Sequence, residues 1–192
     1  MNTKHLLPIV FAIASFSSAF GARFNVVSAE SEVVFESKAK KESFEGRTRK
    51  VEGHVEVDPA ALGNRIDFSI QVDLASLDTG MSLRNAHMRA NHLETDKFPH
   101  VKFTGGKVQK ASGTSLAAGA LTFELEGEFD LHGVTRTISV PVEAQMDGGA
   151  LRIKAKFPVS LSDHEIPRPQ FLFLKLGETQ KIRVELTLRP EA

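Results

Sequence analysis

The chain has 192 residues, 24 basic and 24 acidic side chains, 14 phenylalanines, and no cysteine, tryptophan or tyrosine. Balanced, intermixed charge offers no basic face for nucleic acid and no polybasic run to hold an anionic membrane. Without cysteine there is no disulfide, thiol nucleophile or cysteine-ligated metal, so stability has to come from burial and a complete hydrogen-bond ladder.

Lys4 and His5 precede an uncharged run over 6–20, short for a bilayer span, which takes about 20 apolar residues. Ala19 and Gly21 supply small residues before an expected cut at Ala22, the anatomy of a secretory signal. The expected organisation is a signal peptide, 1–21, and one domain, 22–192, periplasmic or secreted, with no stable membrane span.

Strands are predicted over 24–27, 32–38 and 50–57, and a loop lies between Asp58-Pro59 and Gly63-Asn64. Over 66–74 the residues Ile66, Phe68, Ile70, Val72 and Leu74 alternate with polar ones, as in a strand with one buried face. The alternation then stops. Leu83, Ala86, Ala90 and Leu93 recur at helical spacing behind Ser82 as N-cap, which predicts a helix near 82–93 that covers an open end. Phe98-Pro99 ends it. Further strands are predicted over 101–108, with a bulge at Gly105-Gly106, and over 121–131, 137–144, 151–161 and 182–188. His132-Gly133 and Asp147-Gly148-Gly149 are hairpin signals, 113–119 is a small-residue loop, and Pro141 and Pro158 fall on the outward phase. The fold class is all-β: an antiparallel lipocalin-like barrel of about eight strands with one short helix.

The long strands put Phe68, Ile70, Val72, Phe123, Leu125, Phe129, Ile138, Val140 and Phe157 on the inward, apolar phase. These are the expected ligand-binding wall, and a filled core is the alternative, since eight strands can enclose either side chains or one small ligand. No motif for hydrolysis or phosphate binding is present, and Asp163 and Glu165 read as a solvated face. His87 and His92, five apart, diverge by about 140° on a helix, so no metal or other cofactor is expected. Arg84 and His87 share a face one turn apart. They read either as a headgroup pair at the barrel mouth or as a buried structural network with Asp78, Thr79 or Asp96, and the second is the expectation.

Several segments carry a family likeness: Ser31-Glu-Val33-Val-Phe35, Phe44-Glu-Gly46, the run 72–80, Arg84-Asn85-Ala-His87-Met88, Lys97-Phe98-Pro99-His-Val101-Lys-Phe103, the hairpin 127–136 and the strand 138–142. Through them the chain resembles the YceI-like proteins over nearly all of 22–192. The resemblance implies a periplasmic or secreted lipid-binding barrel, a long isoprenoid or other amphiphilic ligand, no cofactor and no catalytic residues. Asn85 stands where the family usually has an acidic residue, an aromatic is common near Leu93, and the 162–180 segment departs from the pattern as a lid of its own. Arg84, Asn85 and His87 are expected to be structural. The rival functions are a barrel-pocket hydrolase or isomerase using His87 with Arg84, and a structural or stress-response barrel with a filled core. A homodimer is an open option.

Overall fold

The structure, a computed structural model, describes residues 21–38, 43–171 and 174–191. Apart from Gly21, the expected leader lies outside the described residues. The strands are β1 (Ala22–Val26), β2 (Glu32–Lys38), β3 (Ser43–Thr48), β4 (Val51–Val57), β5 (Arg65–Asp73), β6 (His100–Gln109), β7 (Leu121–Leu131), β8 (Val134–Asp147), β9 (Ala150–Ser160), the short β10 (Gln170–Phe171) and β11 (Leu174–Lys175), and β12 (Thr179–Pro190). The helix α1 is Ser82–Asn91. Strand order β1-β4-β5-β6-β7-β8-β9-β12, with β12 pairing back on β1, closes an eight-stranded antiparallel barrel. Closure leaves this wall without a free edge, which is how a chain with no disulfide keeps its ladder satisfied.

The β2–β3 hairpin continues the wall. β12 pairs with β1 through Val26↔Leu188 and with β2 through Ile182↔Phe35, so β1 and β2 form one interrupted stave. Ser31 bridges the break, its hydroxyl accepting from the Thr187 amide at 3.1 Å and donating to the Val27 carbonyl at 2.9 Å. The sequence reading had no strand at β3, where the apolar–polar alternation is weak.

Local sequence explains the breaks. His132 and Gly133 both take positive φ (56° and 76°), as a tight two-residue hairpin requires. Gly105 and Gly106 shift the register of β6 against both neighbours. A Cβ on Gly106 would lie 2.2 Å from the Ile66 carbonyl oxygen, so only glycine fits this bulge. The β8–β9 ladder runs from Asp147↔Ala150 only as far as Val142↔Ala155. The next residue on β8 is Pro141, which has no N–H to continue it, and the two strands part toward the helix end.

The end away from α1 is stopped by the buried Leu116, from the 113–119 loop, and by Leu62. At the helix end a second apolar cluster forms from Leu74, Leu77, Phe129, Leu131, Val159, Leu161 and Ile166.

Candidate functional site: the barrel interior and its helix-side mouth

All nine residues expected on the inner wall belong to the two packed clusters inside the barrel. Phe68, Val72, Phe123, Leu125, Phe129 and Val140 are buried, whereas Ile70, Ile138 and Phe157 are half-buried. Phe103, Ile153, Ile182 and Val184, on the same inward phase of their strands, are also half-buried. These inward positions keep some accessible surface within the packed clusters. Glycines oppose both wall isoleucines, Gly53↔Ile70 and Gly127↔Ile138. At Gly127 the Phe103 and Phe68 rings occupy the place of a side chain, within 2.9 and 3.1 Å of where a Cβ would be. Ile138 and Phe157 flank the stretch where β8 and β9 part.

The mouth is polar. His132, in the β7–β8 turn, reaches the Glu94 carboxylate through Nε2 and the His164 carbonyl through Nδ1, both at 3.1 Å. Both partners are acceptors, a carboxylate and a backbone carbonyl. The hydrogen bond from Lys97, and then that from His132, hold the Glu94 carboxyl below its ordinary range. His164 Nδ1 lies 3.2 Å from the Val134 carbonyl, and Arg136 donates to the Asp163 carbonyl at 2.5 Å. These contacts bridge the parted strands.

The helix departs from expectation. Leu83, Ala86 and Ala90 face solvent, Leu83 with 82% of its surface exposed. Leu93 packs inward but lies beyond the last helical turn. The buried face carries Asn85. Its Oδ1 accepts from the Thr79 amide (2.9 Å) and hydroxyl (2.7 Å), and its Nδ2 donates to Asp78 (2.7 Å). Those bonds pull down the Asp78 carboxyl, Asn85 first and the Gly80 amide second. Arg84 donates to the Thr79 hydroxyl and carbonyl at 2.8 and 2.7 Å, and its guanidinium lies 4.1 Å from the Phe44 ring centre. The expected structural network to Asp78 and Thr79 is therefore present with Arg84 and Asn85 in it. His87 is the correction. It is exposed on the outer face, because five bonds from neighbouring Arg84 and Asn85 fix the helix rotation against the 77–80 turn.

His87 and His92 nonetheless meet, with ring centres 5.2 Å apart, because His92 leaves the helical backbone at the C-cap. Its Nδ1–H donates to the Pro167 carbonyl at 2.9 Å, which ties the helix exit to the 162–180 segment. Burial, opposed by that bond, pushes the His92 pKa down. On the outer barrel face His54, Glu56 and Asp67 each bring one possible ligand atom within 4.8 Å of the others, but Arg23 already pairs with Glu56 at 2.9 Å. Among the described residues no helix is long and apolar enough to cross a membrane.

A closed eight-stranded antiparallel wall around an apolar interior defines a lipocalin-like barrel. The chain belongs to the YceI-like domain family, whose model matches residues 24–188. A UPF0312 protein of Photorhabdus laumondii is 32% identical over 86 residues, a match covering 44% of this chain and 40% of that relative's length. Among solved structures, BcnA of Burkholderia cenocepacia superposes with a TM-score of 0.74 at 21% identity, covering 84% of this chain and 98% of that one. A polyisoprenoid-binding domain from Saccharophagus degradans superposes with a TM-score of 0.68 at 18% identity, covering 88% of this chain and 99% of that one.

Proposed function

We propose that the barrel binds or carries, without catalysis, the hydrocarbon chain of a long amphiphile of isoprenoid type. The observation that carries this reading is the set of inward apolar side chains, Ile70, Phe103, Ile138 and Phe157 among them, that keep accessible surface. Inward positions of apolar type such as these favour a hydrocarbon chain over a polar metabolite. Phenylalanine without tyrosine or tryptophan supplies that surface with no polar handle. The binding named for the Saccharophagus degradans domain is consistent with the same class of ligand. A catalytic role for His87 with Arg84 finds no support, since His87 lies on the outer surface and two of the Arg84 nitrogens are bonded to Thr79.

The uncharged run over 6–20, with Ala19 and Gly21 before Ala22, supports an envelope location for this activity and a working protein that begins at Ala22. Native mass spectrometry of gently purified protein tests the binding, and intact mass tests the cut. The expected result is a co-purifying hydrophobe, released chemically unchanged on denaturation. Turnover of that molecule would move the reading to an enzyme, and absence of any bound lipid after exposure to isoprenoid extracts would leave a filled structural barrel.

A further inference from the structure

The seam between β8 and β9 is open over part of its length. β8 runs over Val134–Asp147 and β9 over Ala150–Ser160, yet they pair only between Asp147↔Ala150 and Val142↔Ala155. Neither strand frays beyond that point. β8 stays paired with β7 as far as Leu131↔Val134, and β9 with β12 as far as Thr179↔Ser160. The unpaired stretch therefore lies between two strands that are each held by their other neighbour. A proline stands on each side of it, Pro141 and Pro158, and neither has an N–H to give to a ladder. Continuing the register of Val142↔Ala155 would set Val134 opposite Asp163. There the chain is tied across again: His164 Nδ1 lies 3.2 Å from the Val134 carbonyl, and Arg136 donates to the Asp163 carbonyl at 2.5 Å. The seam is thus a slot, bounded by the last rung at one end and by this strap at the other.

We propose that this slot is the lateral entrance through which a hydrocarbon chain passes into and out of the barrel, with Ile138 and Phe157 as its lips. The inference rests on the lipid-binding reading and adds a route to it. Both side chains lie on the inward phase, pack on both apolar clusters and are half-buried. The slot therefore opens onto apolar wall, which suits a chain and not a polar solute. The ends of the barrel are less open. Among the described residues, Leu62 and Leu116 stop one end, and the cluster around Leu74 and Leu77 fills the other beneath α1. The cost of opening decides between the routes. Lifting α1 would break the buried bonds of Asn85 to Thr79 and its bond to Asp78, and freeing the β7–β8 turn would break those of His132 to Glu94 and the His164 carbonyl. Each broken bond that leaves a buried polar group unpaired is costly. Widening the slot breaks no rung of the ladder, since none is made there, and loads only the strap.

The chain has no cysteine, so thiols can be introduced in pairs. Ser139 and Lys156 are exposed on opposite sides of the slot, whereas Glu143 and Lys154 are exposed on one rung of the paired stretch. The S139C/K156C and E143C/K154C proteins are folded, loaded with geranylgeraniol and then joined with a short bismaleimide. Exchange of the bound molecule for its deuterated form is followed by native mass spectrometry. The cross-link across the slot is expected to slow exchange roughly tenfold or more, because it ties down the opening motion. The cross-link across the paired rung, and both proteins before cross-linking, are expected to exchange as the wild type does. Unchanged exchange with the slot tied, or equal slowing by both cross-links, overturns the proposal while leaving lipid binding intact, and gives the route to the helix-side mouth. Uptake of geranylgeraniol by none of the proteins, wild type included, overturns the binding reading and the slot with it.

Discussion

Asn85 offers the sharpest test of how α1 is held. Its amide makes three hydrogen bonds, two accepted from Thr79 and one donated to Asp78. Asn85→Asp keeps the shape and the acceptor side but replaces the donor with an oxygen facing the Asp78 carboxylate, where the Nδ2–Oδ1 distance is 2.7 Å. The two carboxylates would face each other and repel, with water around the exposed Asp78 screening them. The expected loss at pH 7 is at least that of the lost hydrogen bond, about 1–2 kcal/mol. Asn85→Ala is expected to cost about 3 kcal/mol by leaving the buried Thr79 amide unpaired. Urea unfolding followed by far-UV circular dichroism measures both, since no tryptophan or tyrosine is available as an intrinsic probe. The two variants differ in pH dependence. Repulsion in Asn85→Asp fades as the carboxylates protonate, so its deficit relative to wild type shrinks below about pH 4, while that of Asn85→Ala does not shrink in this way. An Asn85→Asp protein within about 0.5 kcal/mol of wild type at pH 7 would refute the network as the force that rotates the helix.

Other positions carry independent expectations. Gly127→Val drives a side chain against the Thr104 carbonyl oxygen, 2.6 Å from where a Cβ would be, and into the Phe103 and Phe68 rings, and should cost about 3 kcal/mol by overpacking and a strained backbone and reduce the amount of lipid retained in native mass spectra. Normal lipid load in a folded Gly127→Val protein would put the ligand elsewhere. Ser37 is 1% exposed with an unpartnered hydroxyl; Ser37→Ala should raise stability by about 1 kcal/mol in urea titrations, and a loss of that size would mean that the hydroxyl is matched. Stability should fall with acid in two stages. The His92 pKa is lowered on folding, so the unfolded chain takes up the proton first, and stability declines as pH drops below the ordinary value of 6.5. Asp78, Glu94 and Glu178 are also lowered; their contribution is complete above the ordinary carboxylate values of 3.8 and 4.5 and is lost as pH falls through the folded ones. His92→Gln should remove the first stage from a pH series of urea midpoints, and a first stage that survives this change would assign it to another group.

The sequence by itself determined the strands that alternate strictly. The span of β7 matches the prediction residue for residue, and all nine wall residues lie in the clusters inside the barrel, because period-two burial is a local property of a pleated chain. The turns at Gly133 and Gly149 were equally legible, since positive φ selects residue type locally. Only the tertiary structure decided what depends on partners remote in sequence. β3 is a strand because β2 pairs with it. The ladder between β8 and β9 stops at Pro141, which alternation alone does not reveal. The apolar stripe of α1 pointed inward on periodicity alone, yet the helix is turned the other way. Its rotation was set by a buried asparagine and an arginine bonded to one threonine, and the cost of leaving buried polar groups unpaired exceeded the gain from covering a leucine.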